Sequence, residues 1–283
     1  MTKLHLVTFG NRSTRRKVSF YQNACDLRDA ALSAGFDTAF AYSAEIYTGT
    51  EFEARNAELL KEPRGAGYWV WKPLAIRHAL EQIGDDDVLI YSDAGKVALS
   101  IDICRADRLA ALAKMQPEGM IAGMQLPVAR NDHWTKRDAF ILMDVDEPKY
   151  RETNQIQVGW SAWTKSGSCF RLLDDWQRYN EDRRICSDDD NVLGQPNYEG
   201  FEENRHDQSI YTNLVFRHDL PFLDFSRRPA RRYVVEVRQQ PQVSLRKFWG
   251  GEQVLAKLET HFADSQEPLK AVEKSVVRRL SDL

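Results

Sequence analysis

The sequence predicts an α/β protein: a mostly parallel sheet with helices on its faces. Two observations carry this. Through the first half of the chain, short apolar runs alternate with segments of helical periodicity. The third run, "DVLIYSDAG", is almost wholly apolar, as expected of a central strand covered on both sides.

The elements follow in order. Leu4 to Gly10, "LHLVTFG", reads as a buried first strand ending in glycine. Phe20, Ala24, Leu27, Ala31 and Ala34 recur at helical spacing, and Gly35 stops that helix. "DTAFAYS" is a second strand, and Phe52 to Leu60 a short helix before the loop "KEPRGAGYW". Pro73 suits a first helical position, with Ala75, Ile76, Ala79, Leu80 and Ile83 as the apolar face. "DVLIYSDAG", a helix over Ile101 to Met115 and the strand "GMIAGMQLP" complete the alternation. The second half is less regular. It holds a helix "TKRDAFILM" capped by Thr135, one interrupted strand "NQIQVGWSAWTKS", and a helix over Gly167 to Tyr179. The polar stretch Arg183 to Asn204 reads as a long loop suited to an active-site lid, followed by the helix "HDQSIYTNLVF". After Pro221 the chain turns basic, with "RRPARR" and a Lys/Arg-bearing helix from Glu267 onward.

The chain has 283 residues, 42% hydrophobic and 29% charged, which describes a globular protein rather than a disordered one. A net charge of -3 demands no nucleic-acid partner. No run approaches the ~20 apolar residues of a membrane span, and the first residues read as a strand rather than a signal peptide. Cys25, Cys104, Cys169 and Cys186 form no C-x-x-C pair and read as reduced thiols. The expected location is cytoplasmic.

In parallel sheets ligands bind beyond the carboxyl ends of the strands. Thr8-Phe9-Gly10, Asp93-Ala94-Gly95 and Gln125 stand at such ends. Asp93 there suits a cation, a ribose hydroxyl or a reacting atom; the plain alternative is a turn former. Arg64, Gly65, Gly67, Tyr68, Trp69, Trp71 and Lys72 crowd one loop before a helix N-terminus, which suits an anion. Trp69 and Trp71 face the same side if the segment is extended, unless they close a core. Arg205, His206, Asp207 and Gln208 precede an apolar helix; His206 and Asp207 are candidates for a base or metal ligand, or for a cap. Lys136 and Arg137 are candidate phosphate contacts or solvated charges. Gln155, Gln157, Trp160 and Trp163 are a candidate sugar surface or one face of a strand.

The order "GYWVWKP", "DVLIYSDAG", "WTKRDAF", "NQIQVGWSAW", "RHDQSIY" resembles bacterial glycosyltransferases of the GT-A type, in a group tied to surface-polysaccharide synthesis. The resemblance covers about Leu4 to Leu214. It implies a GT-A-like, Rossmann-like catalytic domain over 1–220, with a nucleotide-sugar half of about 1–130 and an irregular acceptor half of about 131–220. A basic extension, 221–283, with a helical C-terminus, packs on the same domain. The implied partners are a nucleotide diphospho-sugar, UDP-linked by preference, and a glycan or lipid-linked acceptor. Thr8, Gly10, Arg64, Trp69, Trp71, Lys72, Asp93 and Gly95 would hold the donor, and His206 and Asp207 would be catalytic, Asp207 as base.

The family's strand usually ends in D-x-D; here Gly95 stands at the second aspartate. Two schemes follow. Asp93 and His206, with Asp207 as an alternative to His206, hold Mn²⁺ or Mg²⁺ beside the diphosphate. Otherwise Lys72, Lys96, Arg64 or Arg205 neutralise the leaving group without metal. The alternatives to a glycosyltransferase are a nucleotidyltransferase or hydrolase of sugar nucleotides, or a non-catalytic carbohydrate-binding protein. The basic C-terminus adds the expectation of peripheral contact with the inner face of a membrane, against a solvated basic face.

Overall fold

The computed structural model describes residues 2–11, 20–94, 98–224, 234–237 and 243–244. Gly95, Lys96, the basic run 227–232 and the expected helix from Glu267 lie outside the described residues.

Two five-stranded sheets form the frame. The first has the order β2 (Thr38–Tyr42), β1 (Leu4–Phe9), β3 (Val88–Ser92), β7 (Trp160–Trp163), β4 (Met120–Ile121). β1 pairs in parallel with both β2 and β3, whereas β7 runs antiparallel to β3 and to β4. The sheet is therefore mostly parallel, with one reversed strand. The second sheet has the order β10 (Val243–Ser244), β9 (Val234–Val237), β8 (Leu223–Asp224), β5 (Met124–Arg130), β6 (Asn154–Gln157). β8 lies parallel to β5, so the described strands past 220 belong to this sheet.

Alternation along the strands builds two apolar layers. Val7, Leu89 and Tyr91 face one way, with the helices Lys72–Gln82, Gly167–Asn180 and Asp207–Arg217. Leu6, Val88 and Ile90 face the other way, with the helices Phe20–Ser33 and Ala98–Met115. Residues Val88 to Tyr91 are fully buried, as a central strand requires. Each such side chain contributes roughly 1.5–3 kcal/mol. Among the described residues no helix is long and apolar enough to cross a membrane.

The sequence expectations differ from the structure at the corners. "GMIAGMQLP" is two strands in two sheets, not one, and the bend falls at Gly123 (φ +133°). A Cβ there would lie 2.4 Å from the Gln157 carbonyl oxygen, so the corner needs glycine. Gln125 thus belongs to β5 and does not close a strand of the first sheet. "NQIQVGWSAWTKS" divides in the same way at Val158-Gly159, passing from β6 to β7. The expected helix Phe52–Leu60 is two, Glu51–Arg55 and Ala57–Leu60, broken at Asn56. Thr135 does not cap its helix: Lys136 holds the cap position, and the Thr135 hydroxyl donates to Asn131 Oδ1.

Candidate functional site

β2 and β3 flank β1 on opposite sides, both parallel to it. The strand order therefore reverses at β1, and in open α/β sheets ligands bind in the crevice outside the carboxyl ends of the strands at such a point. Val7 pairs with Tyr91, which sets Asp93 level with Phe9 at this crevice. Thr8 is fully buried, its hydroxyl without a partner among the described residues. Gly10 is fixed by packing. A Cβ there would lie 2.1 Å from the Phe20 carbonyl oxygen at the start of the first helix.

The loop before Lys72 has an unusual form. Gly65, Ala66, Gly67, Tyr68 and Trp69 all have positive φ (+60°, +52°, +95°, +51°, +60°). The Tyr68 and Trp69 amides donate to the Arg64 and Gly65 carbonyls at 2.8 and 3.2 Å. This is one turn of left-handed helix, in which each non-glycine residue costs roughly 1–2 kcal/mol. The amides of Gly67, Tyr68, Trp69, Val70 and Lys72 all bond to main-chain carbonyls. The anion cradle expected from the glycines is thus largely closed by the loop's own hydrogen bonds. Trp69 and Trp71 also part company, because the segment is not extended. Trp71 stacks on Phe9, with ring centroids 3.8 Å apart, and its indole N–H donates to the Gly65 carbonyl. Trp69 covers Gly65 and tilts against His206.

The turn delivers Lys72 into the interior. Its Nζ lies 2.7 Å from Asp207 Oδ2 and 3.3 Å from Asp93 Oδ1, and the side chain is 1% exposed. The Tyr91 hydroxyl donates to the same Asp93 oxygen. Lys72, Asp93 and Asp207, named separately from the sequence, therefore form one group with Tyr91. Burial pulls the Lys72 ammonium down, but Asp207 and then Asp93 raise it above its ordinary value. Burial pushes the Asp207 carboxyl up to about 6 against the pull of Lys72. Burial and then Asp93 raise the Tyr91 phenol well above its ordinary value. Asp93 is the open member of the group, its side chain 41% exposed, while Asp207 sits behind Lys72. Lys72 is accordingly no mobile anchor for a phosphate.

His206 and Asp207 are adjacent but part at a strained turn. His206 has φ +52° and ψ −119°, the geometry of the first central residue of a type II′ turn, where glycine is usual. The Gln208 amide closes that turn on the Arg205 carbonyl at 3.0 Å. His206 Nε2 lies 2.9 Å from Asp188 Oδ1, and the ring stacks on Tyr68. Burial, then Arg64, push the imidazole down to about 4 against the pull of Asp188. Arg64 itself is engaged by Asp188 and Glu203, and Arg205 Nε lies 3.3 Å from Glu203 Oε1.

The expected metal pair, Asp93 and His206, does not fit an ion held by the protein. Asp93 Oδ1 is taken by Lys72 and Tyr91, which leaves Oδ2 as its one open oxygen, and His206 is turned to Asp188. No three His, Cys, Asp or Glu side chains converge on a metal position among the described residues. The positive charge between Asp93 and Asp207 is supplied by Lys72.

Other expectations resolve as structure. Lys136 is buried and donates to the Asp189 carbonyl; Arg137 lies 3.3 Å from Asp146 and over the Tyr198 ring. The loop expected to be a lid is tied down. Asp138 accepts from the Val192 amide, and Asn197 accepts from the Arg137 amide. Trp160, Trp163 and Gln155 are interior. Sequence reasoning passed over Tyr91, although its place two residues before Asp93 on one strand face was legible. It also passed over Asp188, for which no local signal exists. The chain matches no protein-family model, and no curated protein matches its sequence.

Proposed function

We propose that the chain is a glycosyltransferase of the GT-A type, drawing a sugar from a nucleotide diphosphate donor across the carboxyl ends of β1 and β3. One observation carries this reading. Asp93 is a half-exposed carboxylate at the strand-order reversal, backed by a buried ammonium and a buried phenol. A carboxylate so held has an oxygen open to hydrogen bonds from hydroxyls, which are abundant on a sugar nucleotide. Asp93 touches the ligand; Lys72 and Asp207 are positioning residues. The acceptor is a glycan or a lipid-linked sugar, the donor preferentially UDP-linked, and the setting surface-polysaccharide synthesis.

Calorimetry with UDP, GDP, CDP and their sugar conjugates, each with and without Mn²⁺ or Mg²⁺, tests the proposal. The wild type is expected to bind one nucleotide class, and Asp93→Asn to weaken binding by about tenfold, ~1.4 kcal/mol. Labelled donor supplied with glycan acceptors is expected to give net transfer. Binding of no nucleotide under any of these conditions sinks the reading. Release of nucleotide without acceptor makes the protein a sugar-nucleotide hydrolase instead.

A further inference from the structure

The polar groups around the crevice are nearly all engaged internally. Lys72 is held by two carboxylates, Arg64 by two more, and His206 by Asp188. Five loop amides are closed on carbonyls. Two groups differ. Asp93 Oδ2 has no hydrogen-bond partner among the described residues; its sister Oδ1 takes both Lys72 and Tyr91. The Gln157 carboxamide, half-buried at the end of β6, likewise has none among the described residues.

These two groups both border Gly159, where β6 leaves one sheet and β7 enters the other. The Gly159 carbonyl is tied to β3, accepting from the Asp93 amide at 2.8 Å. A Cβ on Gly159 would stand 3.5 Å from both Asp93 Oδ2 and Gln157 Nε2. A Cβ would therefore be in ordinary contact with both, and the carboxylate oxygen and the carboxamide border the same side of Gly159. Gln155, two residues back on the same strand face, is fully buried and saturated by interior partners.

We infer that Gln157 is a specificity-determining residue which, with Asp93 Oδ2, reads neighbouring hydroxyls on an uncharged ring of the ligand. A carboxylate accepts a hydroxyl proton, and a carboxamide both donates and accepts, so the pair matches a vicinal diol. A phosphate would meet the Asp93 charge with no free cation among the groups described above, so the pair selects the sugar or ribose of the ligand. The inference rests on the transferase reading and narrows it to this subsite.

The test is the Gln157 side-chain amide signal in ¹⁵N NMR of the full chain, assigned by its loss in Gln157→Glu. The probes are methyl glycosides of common hexoses, nucleosides and inorganic pyrophosphate. Glycosides or nucleosides are expected to move the signal, the responding class telling pyranose from ribose, and pyrophosphate to leave it in place. Gln157→Ala is expected to weaken the responding probe by about tenfold at unchanged melting temperature. A signal moved by pyrophosphate alone, or by no probe, overturns the inference. So does Gln157→Ala with unaltered affinity. Net sugar transfer by the wild type is scored separately: transfer that persists in Gln157→Ala with unchanged KM for both substrates overturns this inference and leaves the transferase reading standing.

Discussion

The helix Asp207–Arg217 begins with two buried polar clusters side by side, and they differ in kind. Asp207 joins Lys72, Asp93 and Tyr91 in a charged group. Gln208 and Ser209 join Gln155, Asn131, Thr135 and Asn213 in a neutral one. In the neutral cluster the Gln155 amide nitrogen has the Asn131, Trp134, Thr135 and Ser209 oxygens at 3.1 to 3.4 Å, and its oxygen accepts from Gln208. That cluster is closed, with every member buried. The charged cluster ends in a half-exposed carboxylate at the strand-order reversal, with one oxygen unclaimed among the described residues. Closed networks rigidify a fold, whereas an open carboxylate backed by a buried cation is available for a ligand.

The strongest way to break the comparison is to remove the cation. Lys72→Met leaves Asp207 buried without its partner, a loss expected to cost about 3–5 kcal/mol in urea unfolding. Adding Asp207→Asn is expected to recover much of it, because the second change removes the orphaned charge. Gln155→Leu in the neutral cluster is the control, expected to cost about 1–3 kcal/mol and to leave ligand affinity unchanged. If Lys72→Met costs no more than Gln155→Leu, the two clusters do not differ as described.

A smaller effect comes through pH, at the rim of the charged side. Burial, then Arg64, hold the His206 imidazole near 4, below the ordinary 6.5. Such a histidine takes up a proton on unfolding, so its contribution is intact above 6.5. It is lost as pH falls from 6.5 to 4, by up to about 3 kcal/mol. Asp207, raised to about 6 from 3.8, works with the opposite sign: it disfavours folding as pH rises from 3.8 to 6. The useful quantity is therefore the stability of the wild type minus that of His206→Phe, which keeps a ring against Tyr68. That difference is expected to rise between pH 4 and 6.5. A flat difference means that His206 titrates normally.

How much of this was legible depends on range. The β1, β2 and β3 strands and the helices at Phe20, Lys72 and Gly167 follow from local periodicity and Gly/Pro punctuation, and the sequence shows them with near-correct ends. The meeting of Lys72, Asp93 and Asp207 was legible as three motifs but not as one group, since nothing local says that a helix-start lysine turns inward. Both strand pairs bent at Gly123 and Gly159 read as single strands, because a period of two continues through a glycine corner that changes sheets. The glycine-rich loop misled most. Glycines announce positive φ, but not that Ala66, Tyr68 and Trp69 share it and so close the amides that an anion would need.

That loop supplies the mildest and most local test. Positive φ at non-glycine residues gathers on the charged side, at Ala66, Tyr68, Trp69 and His206; Asp144 and Asp219, the other two among the described residues, follow helix ends. Ala66 is partly buried against the core but carries only a methyl, so fewer contacts accompany its strain than at the two aromatic residues. Ala66→Gly removes the Cβ penalty at φ +52° and adds chain entropy to the unfolded state. The first term is the larger, so the variant is expected to gain about 0.5–1 kcal/mol. Tyr68 and Trp69 do not allow the same relief, because their rings pack on His206. A gain in stability with unaltered ligand affinity means that the strain only shapes the backbone. A gain accompanied by weaker binding means that the left-handed turn, by fixing where Lys72 enters the interior, sets the position of Asp93. A loss of stability on Ala66→Gly refutes the left-handed assignment at this residue.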